Sequence, residues 1–268
     1  MRYKKANINW DSLGFDVVAT KSMFTANCSK EGQWSGGSLV PYGNIEISPA
    51  AVVLNYGQGV FEGTKAFHTH KDNIVLFRPD RNANRMSWST KRLCIPIIDP
   101  NFFMHAVVQT VKDNIDFIPP FGKGSLYVRP IVWGTSPALG VAPALEYTFM
   151  VFVSPVGPYF RGGTKMLNLK IETNYHRAAA KGIGNAKAIG NYSASLFPMN
   201  KAKEEAIRSR ALNDINKAHE DFDELRGSDE FHNWVEAQPL WVQNALYENE
   251  DDAASVIRVI DLYKVDNG

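Results

Sequence analysis

A single lysine, Lys187, stands in the segment GIGNAKAIGNYSASL between Gly182 and Leu196, surrounded by glycine, alanine and asparagine. Burial and nearby dipoles can lower the pKa of a lysine until its amine is a nucleophile near neutral pH. Small flanking residues would let a flat ring lie close to the backbone, and Tyr192 follows five positions later as a phenol able to hydrogen-bond such a ring. The segment alone fits equally well a surface loop with a solvated lysine, which is the commoner situation.

Two arginines have surroundings that suit the recognition of anions. Arg85 lies in a predicted helix after the strand IVLF, and its planar guanidinium matches phosphate oxygens, although a surface ion pair is the commoner role. Arg129 lies within the apolar run SLYVRPIVW, where a buried charge needs a partner. That partner is either a ligand carboxylate or a structural Asp or Glu. Tyr127, two positions earlier, is expected on the same face of the strand.

Aromatic side chains could line a pocket for an apolar group, with ordinary core packing as the default for each. The candidates are Tyr56, Phe61, Trp133 and Tyr159. His68 and His70 lie in a predicted turn without a third ligand, so no metal site is expected. The sequence contains no GxGxxG, P-loop, GxSxG or HExxH motif.

The composition is that of a globular protein with one large domain or two ordinary ones. The 268 residues are 44% hydrophobic and 21% charged, and the net charge of +1 gives no general reason to expect binding to nucleic acid or to a membrane. The two cysteines have no metal-ligand spacing, and no apolar leader or run of 18 apolar residues is present. We therefore expect a cytoplasmic protein, or an organellar one from which a transit peptide has been removed.

Charge divides the chain near residue 205. Residues 1–205 carry 23 Lys and Arg against 14 Asp and Glu, whereas residues 206–268 carry 6 against 14. The Pro- and Gly-rich stretch SPVGPYFRGG indicates a further boundary near residues 155–165. We expect a small α/β domain at residues 1–160, the start of a second domain at 161–205 and an acidic helical segment at 206–268.

The elements that would position these residues follow from hydrophobic periodicity and from proline and aspartate at helix starts. Strands are predicted at Ile74–Phe77, Ser125–Trp133, Tyr147–Val153 and Leu167–Glu172, and helices at Pro79–Arg92, from Pro100 onward, at Asp229–Glu248 with an interruption at Pro239, and at Asp252–Val265.

Together these stretches resemble the branched-chain amino-acid aminotransferases, which are fold-type IV pyridoxal-phosphate enzymes. The matching segments follow the family's order over about residues 8–205: LVPYGNIEISPAAVVLNYGQGVFEGTKAF, IVLFRPDRNANRMSWSTKRLCIP, GKGSLYVRPIVWGTSPALGVAPALEYTF, VSPVGPYF and YHRAAAKGIGNAKAIGNYSASL. The resemblance implies an α/β fold of type IV, with an aminotransferase-like small domain at 1–160 and a truncated cofactor domain at 161–205.

The resemblance also implies a role for each candidate residue. Lys187 would bind pyridoxal 5′-phosphate covalently and move a proton during catalysis, Tyr192 would hydrogen-bond the cofactor's phenolic oxygen, and Arg85 would bind its phosphate. The substrate pocket would be formed by Tyr56, Phe61, Tyr127, Arg129 and Tyr159. The substrates would be Leu, Ile or Val and 2-oxoglutarate, and the assembly a homodimer.

Residues 206–268 do not resemble the family. Family members continue after the KAKEE stretch with a segment that supplies a glutamate to the pyridine nitrogen, and later with a Pro-Gly-x-Thr-Arg-like turn at the phosphate; neither is found in residues 206–268. The sequence therefore predicts cofactor binding more strongly than turnover. The alternative is a non-catalytic truncated aminotransferase fused to a helical interaction module. A D-amino-acid aminotransferase or aminodeoxychorismate lyase is a further alternative, which YGQGVFEGTKAF and SPVGPYF disfavour.

Overall fold

A computed structural model describes residues 4–158, 169–248 and 252–267 of the protein. The chain divides into two compact units between Ser195 and Leu196. The boundary predicted near residues 155–165 falls largely outside the described residues, as does the predicted pocket residue Tyr159. The division into three parts at residues 160 and 205 stays a prediction.

In the described part of the chain, the first unit contains a seven-stranded antiparallel sheet. Its order is β2-β1-β7-β6-β4-β5, and β3 pairs with β6 off this path. The long strands β6 and β7 pair along their whole length, so they form the centre of the sheet. The strands are β1 (Ser22–Cys28), β2 (Ser38–Pro41), β3 (Gly59–Phe61), β4 (Thr64–His68), β5 (Ile74–Leu76), β6 (Ser125–Gly134) and β7 (Tyr147–Val156).

Two helices of equal length cover one face of this sheet. They are α2 (Pro79–Arg92) and α3 (Pro100–Asp113), which follow the short helix α1 (Val52–Tyr56). Each begins with proline, whose missing N–H is not needed in a first turn, and Asp99 caps α3 by accepting hydrogen bonds from two backbone N–H groups. The buried stripes of both helices pack on sheet residues such as Phe149, and each large apolar side chain contributes about 1.5–3 kcal/mol. The α/β class, the helices and the three strands predicted before residue 160 are confirmed.

The strand predicted at Leu167–Glu172 is wrong for the residues that the structure describes. Residues 169–172 have no regular secondary structure, whereas residues 167 and 168 lie outside the described ranges. Leu169 and Ile171 are each 88% exposed. Their alternating pattern produces no strand because, among the described residues, no neighbouring strand pairs with them.

The second unit is helical throughout its described residues. Its helices are α5 (Leu196–Ala218), α6 (Phe222–Arg226), α7 (Asp229–Glu236), α8 (Leu240–Tyr247) and α9 (Ala253–Asn267), with α4 (Gly190–Ser193) preceding them in the first unit. Phe231, Val235 and Ile260 are at the centre of its own apolar core. The interruption at Pro239 is confirmed, since α8 begins directly after it, and the helix predicted from Asp252 is confirmed with that aspartate accepting N–H bonds at its start. No helix in the described ranges is long and apolar enough to cross a membrane.

Candidate active site

The backbone around Lys187 is anchored to the sheet of the first unit. The Phe61 N–H donates to the Lys187 carbonyl at 3.1 Å, and the Ile189 N–H donates to the Gly59 carbonyl at 3.0 Å. The segment therefore pairs with β3 as a short extra strand, with Val60 opposite Ala188. A side chain added at Gly59 would collide with Ile189, so this glycine permits the close approach of the two segments.

Further hydrogen bonds fix the approach to Lys187. The Lys187 N–H donates to the hydroxyl of Ser89 at 3.1 Å, and Ser89 is fully buried on α2. The side-chain amide of buried Asn191 donates to the carbonyls of Ile183 at 2.9 Å and Ala186 at 2.8 Å. The lysine thus belongs to an ordered turn, which argues against an ordinary surface loop.

The Lys187 amine faces aromatic groups. Its Nζ lies 3.0 Å from the Tyr192 hydroxyl and 4.7 Å from the centroid of the Phe61 ring. The rings of Phe61 and Tyr192 are themselves 4.9 Å apart. The lysine is half-buried, and among the residues of the described ranges it forms no ion pair with a carboxylate. A carboxylate-free amine beside a phenol and an aromatic face is suited to covalent chemistry with a carbonyl compound.

On β6, Arg129 and Tyr127 share a face, as the sequence predicts. The Arg129 Nη2 donates to the Tyr127 hydroxyl at 2.8 Å, and its Cζ lies 4.6 Å from the Phe61 ring centroid and 5.1 Å from that of Tyr127. Within the described residues its Nε is buried without an acceptor, and no Asp or Glu pairs with it. Of the two partners expected, the structural carboxylate is therefore not found there. Phe61 contacts both cations, Lys187 and Arg129.

Arg85 forms a bidentate ion pair with Glu62. Its Nε and Nη2 each lie 2.6 Å from a carboxylate oxygen of Glu62, which is fully buried, whereas the Arg85 side chain is 52% exposed. The hydrogen bonds to Glu62 raise the pKa of the Arg85 guanidinium, and the charges of Glu62 and Tyr192 act in the same direction against the opposing effect of burial. Arg85 thus has the ion pair that the sequence offered as its commoner role, but with a buried partner.

One face of α2 connects these groups. Asn82, Arg85 and Ser89 follow each other at helical spacing, and the first two hydrogen-bond Glu62 whereas the third holds the Lys187 backbone. Sequence reasoning missed Glu62. An acid between Phe61 and Gly63 in an otherwise apolar, glycine-rich stretch was the available signal, because a buried charge there needs a partner just as Arg129 does.

The remaining predicted residues are not part of this cluster in the described contacts. The Tyr56 hydroxyl, at the end of α1, donates to the Leu139 carbonyl. Trp133 is buried and packs with Met23 and Met150, which is the core role considered for it. Tyr159 lies outside the described residues, so its pocket role stays a prediction.

Comparison with curated proteins identifies the relatives of the chain, although no protein-family model matches it. It is 51% identical over 198 residues, 74% of its length, to branched-chain-amino-acid aminotransferase 5, chloroplastic, of Arabidopsis thaliana. About three quarters of this chain is related to the branched-chain aminotransferases. A mitochondrial branched-chain amino acid aminotransferase 1 of Humulus lupulus is 48% identical over the same share of the chain. The chain spans about half the length of the curated relatives it matches, 48% and 50% of these two.

Solved branched-chain aminotransferases share the fold. The enzyme of Escherichia coli gives a TM-score of 0.51 at 25% identity, over 66% of this chain and 54% of that one. The enzyme of T.th., solved with pyridoxamine 5′-phosphate, gives 0.51 at 26% identity over 67% and 55% of the two chains. The fold-type IV class predicted from the sequence is confirmed.

Proposed function

We propose that the first unit binds pyridoxal 5′-phosphate at Lys187, as a branched-chain aminotransferase-like protein that exchanges amino groups between Leu, Ile or Val and 2-oxoglutarate. The observation that carries this proposal is the Lys187 amine 3.0 Å from the Tyr192 hydroxyl. Its support comes also from the relatives, which are named as branched-chain aminotransferases, and from the T.th. structure, which is named with pyridoxamine 5′-phosphate.

The chemistry of the side chains present fits this cofactor. Lys187 offers a primary amine for a covalent bond to an aldehyde, Tyr192 offers a phenol for an oxygen on the ring, and Arg85 offers a guanidinium for the phosphate. The pair with Glu62 uses two of the five N–H groups of Arg85, which leaves three for phosphate oxygens. When bound, pyridoxal phosphate supplies the electron sink that makes a proton on the substrate Cα removable.

The chain's own groups then have defined tasks. The Lys187 amine removes the proton from the substrate Cα and returns one, with the hydrogen bond to Tyr192 directing its lone pair. Arg129 binds a substrate carboxylate through its Nε, which is buried and without an acceptor in the described structure. The Phe61 ring covers both cations and excludes water from the space between them.

We propose that cofactor binding exceeds turnover in this chain. Residues 206–268 form helices and contain no counterpart of the glutamate and the phosphate turn implied by the resemblance. Without a carboxylate beside the pyridine nitrogen, the positive charge that draws electrons from the substrate loses its partner. The second unit has a core of its own, which is also compatible with the interaction module considered as the alternative.

Assembly and compartment are further parts of the proposal. A homodimer is expected by resemblance, and sedimentation velocity measures it directly. The two relatives compared above are named as chloroplastic and mitochondrial, which favours an organelle over the cytoplasm for this chain.

Spectroscopy with matched lysine variants tests the proposal. The purified protein is titrated with pyridoxal 5′-phosphate, and leucine-dependent transamination of 2-oxoglutarate is assayed in parallel. Lys187→Arg keeps the positive charge and removes the reactive primary amine, whereas Lys181→Arg makes the same change at an exposed lysine of the same segment. We expect a visible absorbance band in the wild type and in Lys181→Arg, and none in Lys187→Arg. A band of equal strength in all three proteins would show that Lys187 is not the site.

A further inference from the structure

The carboxylate of Glu62 is completely buried, and four donors surround it. Its Oε1 accepts from the Arg85 Nε at 2.6 Å, and its Oε2 accepts from the Arg85 Nη2 at 2.6 Å and from the Asn82 Nδ2 at 2.8 Å. The backbone N–H of Gly63 donates to the same Oε2 at 3.3 Å. A buried carboxylate is costly unless it is paired and hydrogen-bonded, so this arrangement holds the charge in one place.

The backbone explains why the carboxylate reaches α2. The Glu62 N–H donates to the Pro130 carbonyl at 2.7 Å, which continues the pairing of β3 with β6 by one residue. Successive side chains in such a segment point to opposite sides. Phe61 therefore contacts Lys187 and Arg129, whereas Glu62 extends under α2 to Arg85.

We propose that Glu62 is a positioning residue that fixes the Arg85 guanidinium for the cofactor phosphate; this inference rests on the proposed function, in which Arg85 binds that phosphate. The side-on pair immobilises the Nε–Nη2 edge of the guanidinium and turns its other N–H groups outward. Arg85 is half exposed, so without Glu62 its long side chain would sample many rotamers in solvent, and that freedom would be lost again on binding phosphate.

Glu62 also carries a negative charge, which by itself weakens the attraction of Arg85 for an anion. The two effects have opposite signs. Positioning dominates because Arg85 is half exposed, where water screens the charge of Glu62, whereas the geometric constraint is not screened. A purely structural ion pair would instead change the stability of the first unit and leave the recognition of phosphate unaltered.

The test compares pyridoxal 5′-phosphate with pyridoxal, which lacks the phosphate. The ratio of their dissociation constants isolates the phosphate contribution, and a general loss of folding changes both constants alike. In Glu62→Gln we expect this ratio to fall roughly tenfold, since one oriented charge-assisted contact is lost. Glu46→Gln, the same substitution at an exposed acid, is expected to leave the ratio unchanged. In an Arg85→Lys background, Glu62→Gln is expected to have almost no further effect.

A second readout needs no cofactor. In ¹⁵N-labelled protein, the slowly exchanging Nε–H signal of Arg85, assigned by its loss in Arg85→Lys, is expected to disappear in Glu62→Gln. If Glu62→Gln does not fold, Glu62→Asp keeps the charge, withdraws the carboxylate by one methylene and is expected to lower the ratio in the same direction.

The outcomes separate this inference from the proposed function. An unchanged or increased phosphate preference in Glu62→Gln, or a persistent Arg85 Nε–H signal, would overturn the positioning role alone. A wild-type protein that shows no preference for the phosphorylated form would instead overturn the proposed function, and the inference with it.

Discussion

Asn191→Ala is expected to loosen the turn that presents Lys187. The side-chain amide of Asn191 is buried and donates two hydrogen bonds, to the carbonyls of Ile183 and Ala186. Each such bond contributes about 0.5–1.5 kcal/mol net, so the pair contributes about 1–3 kcal/mol. Alanine is a better helix former and regains about 0.5 kcal/mol in α4. The expected net loss is about 1.5 kcal/mol.

Scanning calorimetry measures this loss. For a unit of this size, about 1.5 kcal/mol corresponds to a decrease in Tm of roughly 3–6 °C. Asn185→Ala is the matched control, because Asn185 lies in the same segment and is exposed. Equal Tm values for the two variants would show that the Asn191 amide does not order this turn. We also expect Asn191→Ala to bind pyridoxal 5′-phosphate more weakly, since the lysine must then be ordered on binding.

Three further outcomes follow from individual contacts. Tyr192→Phe removes the phenol 3.0 Å from Lys187 and is expected to weaken pyridoxal 5′-phosphate binding roughly tenfold, with an unchanged melting curve; equal dissociation constants would contradict it. The hydrogen bond from Lys21 is the main cause that lowers the pKa of Asp113, so its stabilisation is present above the unfolded pKa of about 4 and is lost as pH falls through the folded pKa. Asp113→Asn should therefore lower Tm at pH 7 and have little effect at about pH 3, and a pH-independent difference would oppose this. Phe231→Ala should cost about 3–5 kcal/mol in the second unit, seen as loss of helical circular dichroism on mild heating, and an unchanged curve would exclude a core role.

The elements with strong local signals could be predicted from the sequence. Proline at the first helical position placed the starts of α2 and α3, and Asp99 acts as the cap that its position suggested. Alternation along β6 placed Tyr127 and Arg129 on one face, because side chains in a strand repeat every second residue.

Contacts between distant segments could not be predicted in this way. The partner of Arg85 is Glu62, 23 positions earlier, and only the packing of β3 under α2 brings the two together. The same holds for the pairing of Lys187 with β3, which decides between an ordered turn and a surface loop. The strand predicted up to Glu172 failed for a related reason, since alternation alone does not supply a neighbouring strand.

The most direct test of cofactor binding at Lys187 is the site of covalent attachment. The protein is incubated with pyridoxal 5′-phosphate, reduced with borohydride, digested and analysed by mass spectrometry. We expect a reduced phosphopyridoxyl group on Lys187 in the wild type and in Lys181→Arg, and its loss in Lys187→Arg. A modification spread over exposed lysines, or its absence from Lys187 at saturating cofactor, would contradict a cofactor site at this lysine.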